Sequence, residues 1–489
     1  MPFWTTIGLI LLLSTLGLTY EIAAGRVLAP YFGTSLLTWT AVIATILTGF
    51  SLGSALGGFI AERPRPAAAA AVRRALIATA VLMALSPQVL GVIYAVGLRG
   101  TGGMLLAVLV AFFPASVLVS LPSPFLARIA VEARPGREGS SLGLVLSAGS
   151  LGAIGGAIVA GFVALPVFGA VATFAACGAA ALLCVPFVRG GPAGPGGPPA
   201  PAGAAVPVIV AGLVVAASLT GGPICRYESG MSCIDVVRQG GAVNLYSDRT
   251  QQAAERTGQG TSDASDPLIL PYTQWIWARM EHDLGPAPNV LFVGGGGYTL
   301  PTQLLAARPM ARALAVEIDP LITQVVRAQM PWASAMIART GYDAAAGGTA
   351  GAARLGIVHA DGRVFLNETD QRFDAAVMDA FSSGSVPAHL VTQETYARLR
   401  QIVDGPVYVN LIDRPDGPLV RGMHAILRGI YPHVEVVQGP PSSRGRANLL
   451  LAASPAPLTA LASLPDGYAR VAVGDARPFT DDRGWVGHR

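Results

Sequence analysis

The sequence predicts a multi-pass α-helical membrane bundle of about seven spans followed by a soluble α/β domain. Three observations predict it: a series of long apolar runs, a change in charge density near residue 222, and a strand–glycine–helix–acid pattern beginning at residue 289. At 489 residues the chain is long for one domain and suits two. Charged residues make up only 13% and hydrophobic residues 52%, with a mean hydropathy of +0.52. An ordinary soluble domain carries about 25% charged residues. The deficit is uneven, because charges are sparse before Arg226 and of ordinary density after it.

A membrane-spanning helix needs about 20 mostly apolar residues. Six runs meet this: 3–20, 36–61, 75–96, 104–129, 141–165 and 167–188. A seventh, within 204–221, is barely long enough and contains Pro207. Between them, 189–203 is rich in Pro and Gly and reads as a linker. The first run lacks a basic leader and is followed by further spans, so it reads as a span and not as a cleaved signal. Gly49, Gly53 and Gly57 in span two, and Gly152 and Gly156 in span five, form smooth stripes at four-residue spacing. Such a stripe admits close helix approach, either within one bundle or across a dimer. Glu21 and Arg26 lie at the end of span one, where they pair, snorkel to the interface or mark an intramembrane site.

Arg63, Arg65, Arg73 and Arg74 follow span two, Arg128, Arg134 and Arg137 follow span four, and Arg189 follows span six. The alternate connections carry little more than Arg26 and Arg99, so the N-terminus is expected in the cytoplasm. Seven spans then put the soluble domain outside, whereas six, with 204–219 lying along the membrane, put it inside. Of the four cysteines, Cys177 and Cys184 fall in span six and read as packing residues. Cys225 and Cys233 are spaced either for a disulfide across a hairpin, which belongs to an oxidising compartment, or as two separate thiols. Every basic residue is Arg, and none form a long run, which argues against nucleic-acid binding.

In the soluble half, 224–237 and 242–246 read as short strands joined at Gly240-Gly241. Residues 289–293 form an apolar strand that runs directly into Gly294, Gly295, Gly296 and Gly297, with a helix over 300–307. A second strand, 313–316, ends in Glu317-Ile318-Asp319-Pro320, and a helix over 321–330 follows. Further strands are expected at 355–358 and 373–378. Repeated βα units imply a parallel sheet covered on both faces. Glycines permit close backbone approach and positive φ. Glu317, twenty positions after Gly297, stands where an acid accepts ribose hydroxyls in nucleotide-binding sheets, although a tight turn with a capping acid has the same pattern. Asp361 and Asp379 follow two more strands, so four features converge on the carboxyl edge of the sheet. There, Asp361 is suited to an exocyclic amine of a base, and Asp379 to holding or deprotonating an amine.

The loop is not a phosphate cradle, since it has no Gly-Lys-Ser/Thr and departs from Gly-x-Gly-x-x-Gly. A cationic sulfonium nucleoside needs acids and close backbone instead. The six histidines are scattered, so no metal site is expected, and His359 and His389 have no partner in sequence. Ser382, Ser383 and Ser385 lie outside any nucleophile-elbow pattern, which gives no support to a hydrolase.

Segments 290–299, 316–320, 359–366 and 374–396, in that order, resemble the spermidine synthase (polyamine aminopropyltransferase) family. The resemblance extends to its membrane-fused branch, in which a bundle like half of a major-facilitator transporter precedes the synthase domain. Residues 21–33 and the basic connection after span two are similar to that branch. The resemblance implies a small β-domain (222–270) and a Rossmann-like, class I methyltransferase-like domain (271–489). It implies aminopropyl transfer from decarboxylated S-adenosylmethionine to an amine, with methylthioadenosine released. By resemblance, Glu317 holds the ribose, Asp361 and Gly362 meet the adenine, and Asp379 accepts the amine proton. Gln252, Tyr298 and Ser382 fall at substrate-binding positions. The family usually reads Gly-Gly-Gly-Asp-Gly, and its acid falls at Gly297 here; a second acid, three positions after Asp379, is replaced by Ser382, and Gly384 adds no charge. These departures leave two other readings open: a different S-adenosylmethionine-dependent transferase, such as a methyltransferase, or a non-catalytic nucleoside- or polyamine-binding domain controlling the bundle. The implied setting is a bacterial inner membrane, with membrane lipid, a small amine and a homodimer as partners.

Overall fold

The computed structural model describes residues 1–33, 36–190, 205–248, 250–256, 268–344, 353–380, 387–443 and 445–483. The chain divides into two compact units, Met1–Gly230 and Met231–Arg489.

The first unit contains α1 (Phe3–Phe32), α2 (Leu36–Ala61), α3 (Arg65–Ala95), α4 (Gly100–Ser120), α5 (Pro122–Glu132), α6 (Glu138–Ile158), α7 (Leu165–Cys184) and α8 (Ala205–Ser218), and ends with a short strand, β1 (Tyr227–Glu228). Among the described residues, five helical stretches are long and apolar enough to cross a membrane. The expected fourth span is α4 and α5 in succession, with Pro122 opening the second. The expected fifth and sixth spans form one 50-residue stretch, Glu138–Phe187. That stretch is interrupted by a π-helical segment, Val159–Ala164, and by Gly169, whose φ of 76° and ψ of 175° are not helical. At about 1.5 Å per residue its length exceeds twice a ~30 Å hydrocarbon core. Glu228 takes up the freed backbone at the break, its carboxylate accepting from the Ala170 amide at 2.9 Å. By contrast α8 has only 14 residues, roughly 21 Å of helix. Apart from Arg189 and Gly190, the expected linker lies outside the described residues.

Both glycine stripes pack inside the bundle. A Cβ at Gly53 would collide with the Val117 carbonyl of α4, and one at Gly156 with the Thr15 carbonyl of α1. Large apolar side chains cover the outside instead, among them Phe59, Leu146, Phe162 and Leu183. Glu21 and Arg26 do not end the first helix, because apolar sequence carries α1 on to Phe32. Both are buried. Arg26 donates to the Ser229 carbonyl at 2.9 Å rather than to Glu21.

In the second unit, β2 (Cys233–Gln239), β3 (Ala242–Ser247) and β4 (Thr250–Arg256) form an antiparallel meander. Gly240 and Gly241, both at positive φ, make the two-residue hairpin that joins the first two. The expected strand over 224–237 is divided instead, because residues 224–226 and 229–232 are not extended strand. Cys177 and Cys184 are free and buried.

After α9 (Pro271–Asp283), the chain alternates strand and helix: β5 (Asn289–Val293), α10 (Thr299–Ala307), β6 (Arg312–Glu317), α11 (Pro320–Gln329), α12 (Pro331–Thr340), β7 (Gly341–Asp343), β8 (Leu355–His359), α13 (Gly362–Glu368), β9 (Ala375–Met378), α14 (Gln393–Ile402), β10 (Val407–Asp413) and α15 (Pro418–Ile430). It closes with β11 (His433–Gln438), β12 (Ala447–Ser454) and β13 (Ala469–Arg470). The nine-stranded sheet has the order β13-β11-β12-β10-β9-β5-β6-β8-β7. Strands β5 to β10 are parallel, and β12 pairs antiparallel with β10 and β11. Such central strands are buried on both faces and read as continuous apolar runs; Val290, Leu291, Phe292 and Val293 are all within the core. Leu291, Val293, Val407 and Val409 pack with Tyr396, Leu399, Met423 and Leu427 from α14 and α15. From β5 the chain builds outward to β6 and β8, then returns to β9 on the other side of β5. The strand order reverses between β5 and β9, which is where open parallel sheets bind ligands.

Candidate functional site

The glycine loop sits at this reversal. Gly294 ends β5 with φ +97°, and a Cβ there would strike the Asp379 carbonyl at the end of β9. Its amide donates to the Val316 carbonyl at 2.9 Å, and the Asp379 amide donates to Val293 at 2.8 Å, so both strand ends are fixed to their neighbours. Gly296 also has positive φ and faces the Gln252 carbonyl of β4.

Glu317 closes β6 and is buried. Its Oε2 accepts the Gly295 amide at 2.8 Å and its Oε1 accepts the Asp319 amide at 2.9 Å. Burial pushes its pKa up to about 7, against the pull of these backbone donors. Asp319 caps α11 through the Leu321 amide at 3.0 Å and accepts from Ser232 at 2.9 Å.

Asp379 keeps part of its surface open, while burial of the carboxylate pushes its pKa up to about 6. Hydrogen bonds from Asn410 and Tyr272 oppose that rise. Asn410 donates to Oδ1 at 2.9 Å, and Asn448 donates to the Asn410 side-chain oxygen at 2.9 Å. The Tyr272 hydroxyl also lies 3.2 Å from the Gln252 carbonyl. Burial and the neighbouring Asp379 charge hold the Tyr272 phenol well above its usual pKa. The loop, β4 and the central aspartate are therefore joined through Gln252 and Tyr272.

Asp361 caps α13, accepting the Arg363 and Val364 amides at 2.8 and 3.2 Å on Oδ1. Its Oδ2 lies 2.9 Å from His389 Nε2. Gly362 is packed so closely that a Cβ would sit 2.6 Å from Val293.

Tyr298 and Gly297 complete the loop beside Glu317, and a Cβ at Gly295 would lie 3.2 Å from the Tyr298 ring. Tyr298 is fully buried, and its hydroxyl lies 2.6 Å from Thr323, which is itself 3.0 Å from His359 Nε2. It holds a left-handed backbone (φ 56°, ψ 19°), a strain of roughly 1–3 kcal/mol in a non-glycine residue. That turn carries the ring past Gly295 to Thr323 of α11. Gly297 leaves no room for a side chain, since a Cβ would run into Ala253 and lie 3.0 Å from Met330. Ser382 and Gly384 lie outside the described residues. Among the described residues, no group of three or more His, Cys, Asp or Glu is placed to hold a metal ion.

Sequence reasoning missed Tyr272, Asn410, Asn448 and the His389–Asp361 pair. A signal existed for the asparagines, each being a polar residue inside an apolar strand, in Val407–Asp413 and Ala447–Ser454. Tyr272, in the first turn of a helix, gave none.

No protein-family model matches the chain. It is 24% identical over 151 residues to a polyamine aminopropyltransferase of Vibrio vulnificus (strain CMCP6), covering 29% of this chain and 44% of that protein. It is 29% identical over 96 residues to a polyamine aminopropyltransferase of Ruegeria sp. (strain TM1040), covering 20% and 30%. Among solved structures, a probable spermidine synthase from Corynebacterium glutamicum ATCC 13032 aligns with a TM-score of 0.40 and 19% identity, over 50% of this chain and 84% of that one. The chain thus spans less than half the length of the curated relatives it matches, and over that part its sequence resembles the polyamine aminopropyltransferase family.

Proposed function

We propose that the second unit is a nucleoside-dependent transferase, carried on a membrane-spanning bundle, that moves an aminopropyl group from decarboxylated S-adenosylmethionine to an amine. The observation that carries this reading is the pairing of two carboxylates at the sheet reversal: Glu317 bracing the glycine loop and Asp379 at the end of the adjoining β9. The names of the two relatives support it, and the five long apolar helices support the membrane setting.

In this reading Glu317 accepts the ribose hydroxyls, and Gly294, Gly295, Gly296 and Gly297 present bare backbone to the nucleoside. Asp361 and Gly362 meet the adenine, while Gln252 and Ser382 border the acceptor. An uncharged amine attacks the methylene carbon next to the sulfonium. The C–N bond forms as the C–S bond breaks, the sulfur keeps the electron pair, and methylthioadenosine leaves. Asp379 takes the proton from the new ammonium and stabilises its charge as it develops.

Methyl transfer from S-adenosylmethionine is the second reading. It is favoured by Gly297, where Ala253 and Met330 occupy the space a further acid would need. Incubating the purified full-length protein with each donor and an amine, then weighing the product, separates the two. The proposal expects a product heavier by one aminopropyl group and equimolar methylthioadenosine. A methylated product, or nucleoside binding with no turnover for any amine, would overturn it.

A further inference from the structure

We infer that the arginine-rich end of the helical bundle binds the headgroup of an anionic phospholipid, with Arg134 and Arg137 beside Trp4 at its centre. The inference rests on the membrane reading of the first unit and is independent of the transferase reading.

Contacts within the first unit bring the basic connections together. Arg65, at the start of α3, pairs with Glu132 at the end of α5. Arg128 of α5 donates to Glu132 at 2.7 Å and to the Ala61 carbonyl that ends α2. A Cβ at Gly190, just after the second long stretch, would lie 2.8 Å from Pro66 of α3. Arg134, between α5 and α6, lays its guanidinium 3.5 Å from the centre of the Phe3 ring and 5.3 Å from that of Trp4, at the start of α1. Residues 62–74, 128–138 and 189 therefore share one end of the bundle. Eight arginines against three glutamates give these segments a net charge of +5. The connections at the other ends of the same helices, 33–36, 96–100 and 164–170, carry a single charge, Arg99.

Two features make this end suited to a lipid. Arg134 uses the flat face of its guanidinium on the rings, which leaves its N–H edge to donate to a phosphate in two parallel bonds. Arg137 stands three residues on, where its amide donates to the Arg134 carbonyl at 3.1 Å, so a second cation is close by. Beside them the surface is apolar: Trp4 and Leu11 of α1, and Leu142 and Leu146 of α6, are all exposed. Tryptophan at a helix end belongs at headgroup depth, with acyl chains along the leucines beyond it. A phosphate that carries its own ammonium, as in a zwitterionic lipid, gains little from a +5 surface, whereas one with a net negative charge gains fully.

The test uses the full-length protein, purified in detergent and freed of lipid. Phosphatidylglycerol and phosphatidylcholine with the same acyl chains are titrated in turn, and bound lipid is read by native mass spectrometry. The wild type should bind phosphatidylglycerol at least about 5-fold more tightly, the factor that one surface arginine contributes. Arg134→Gln combined with Arg137→Gln should remove that preference, and Arg99→Gln, at the other end, should keep it. Equal binding of the two lipids by the wild type would overturn the inference, and that comparison needs no variant to fold. So would an undiminished preference in the double variant, or displacement of the lipid by an equal concentration of glycerol 3-phosphate, which would make this a site for a free anion. A full-length protein that stays monodisperse without detergent would overturn the membrane reading itself.

Discussion

Glu317 Oε2 accepts the amide of Gly295 at 2.8 Å, tying the end of β6 to the loop that leaves β5. The other oxygen of the same carboxylate holds the Asp319 amide at the start of α11. A carboxylate offers about four lone-pair directions, and the Gly295, Asp319 and Gly296 amides take up to three of them. One buried acid therefore shapes the glycine loop, and on the proposed reading its open side meets the nucleoside.

On the proposed reading, the raised pKa of Glu317 makes nucleoside affinity pH-dependent. Ribose hydroxyls donate to the ionised form, and burial places its pKa at about 7. Affinity for methylthioadenosine should weaken as pH falls through that value and level off above it. Calorimetric titration one unit below and one unit above checks this. In Glu317→Gln the slope should vanish; an unchanged slope would place the titrating group elsewhere.

Asp379 must be ionised to accept a proton, so kcat/KM should rise with pH through about 6. Asn410 and Tyr272 lower that pKa by donating to the charged form. Asn410→Ala and Tyr272→Phe should each move the acidic limb of the profile to higher pH. Asp379→Asn should remove turnover and keep methylthioadenosine binding. A limb that stays in place in both neighbour variants would mean that Asp379 is not the group titrating.

Gly297→Asp should not strengthen the site. A side chain there meets Ala253 and Met330, and overpacking of this kind costs about 1–3 kcal/mol. Thermal melting should show a destabilised protein with weaker nucleoside binding. A variant of normal stability with faster turnover on putrescine would contradict the packing.

Capping by Asp361 and its proposed recognition of a base are separable. Asp361→Ala removes the α13 cap, at a cost of about 1 kcal/mol, whereas Asp361→Asn keeps a good cap. Both should weaken methylthioadenosine binding if the carboxylate meets the adenine. Wild-type affinity in Asp361→Asn would reduce the residue to a helix cap.

The strand–glycine–acid order made β5, the loop and Glu317 legible, because close approach at Gly294 and an acid at the next strand end leave a local pattern. Asp379 was legible for the same reason. Tyr298 was not, because nothing in its neighbours reveals that the loop turns left-handed there and points the ring at Thr323. Strand β4 was missed since Thr250–Arg256 is polar on most of its length. The glycine stripes announced close packing, but their partners, Val117 and Thr15, belong to other helices and are set by tertiary structure. The continuity of Glu138–Phe187 was hidden by Pro166 and Gly169, which read as a boundary although helix resumes beyond them.

The most direct test is calorimetric titration of methylthioadenosine into the full-length protein and into Glu317→Ala. Saturable one-to-one binding is expected for the wild type. The variant should bind at least about 30-fold more weakly, as the loss of hydrogen bonds to a charged group predicts. Equal affinity in the two proteins, or no binding by the wild type, would contradict the assignment of a nucleoside site to this sheet edge.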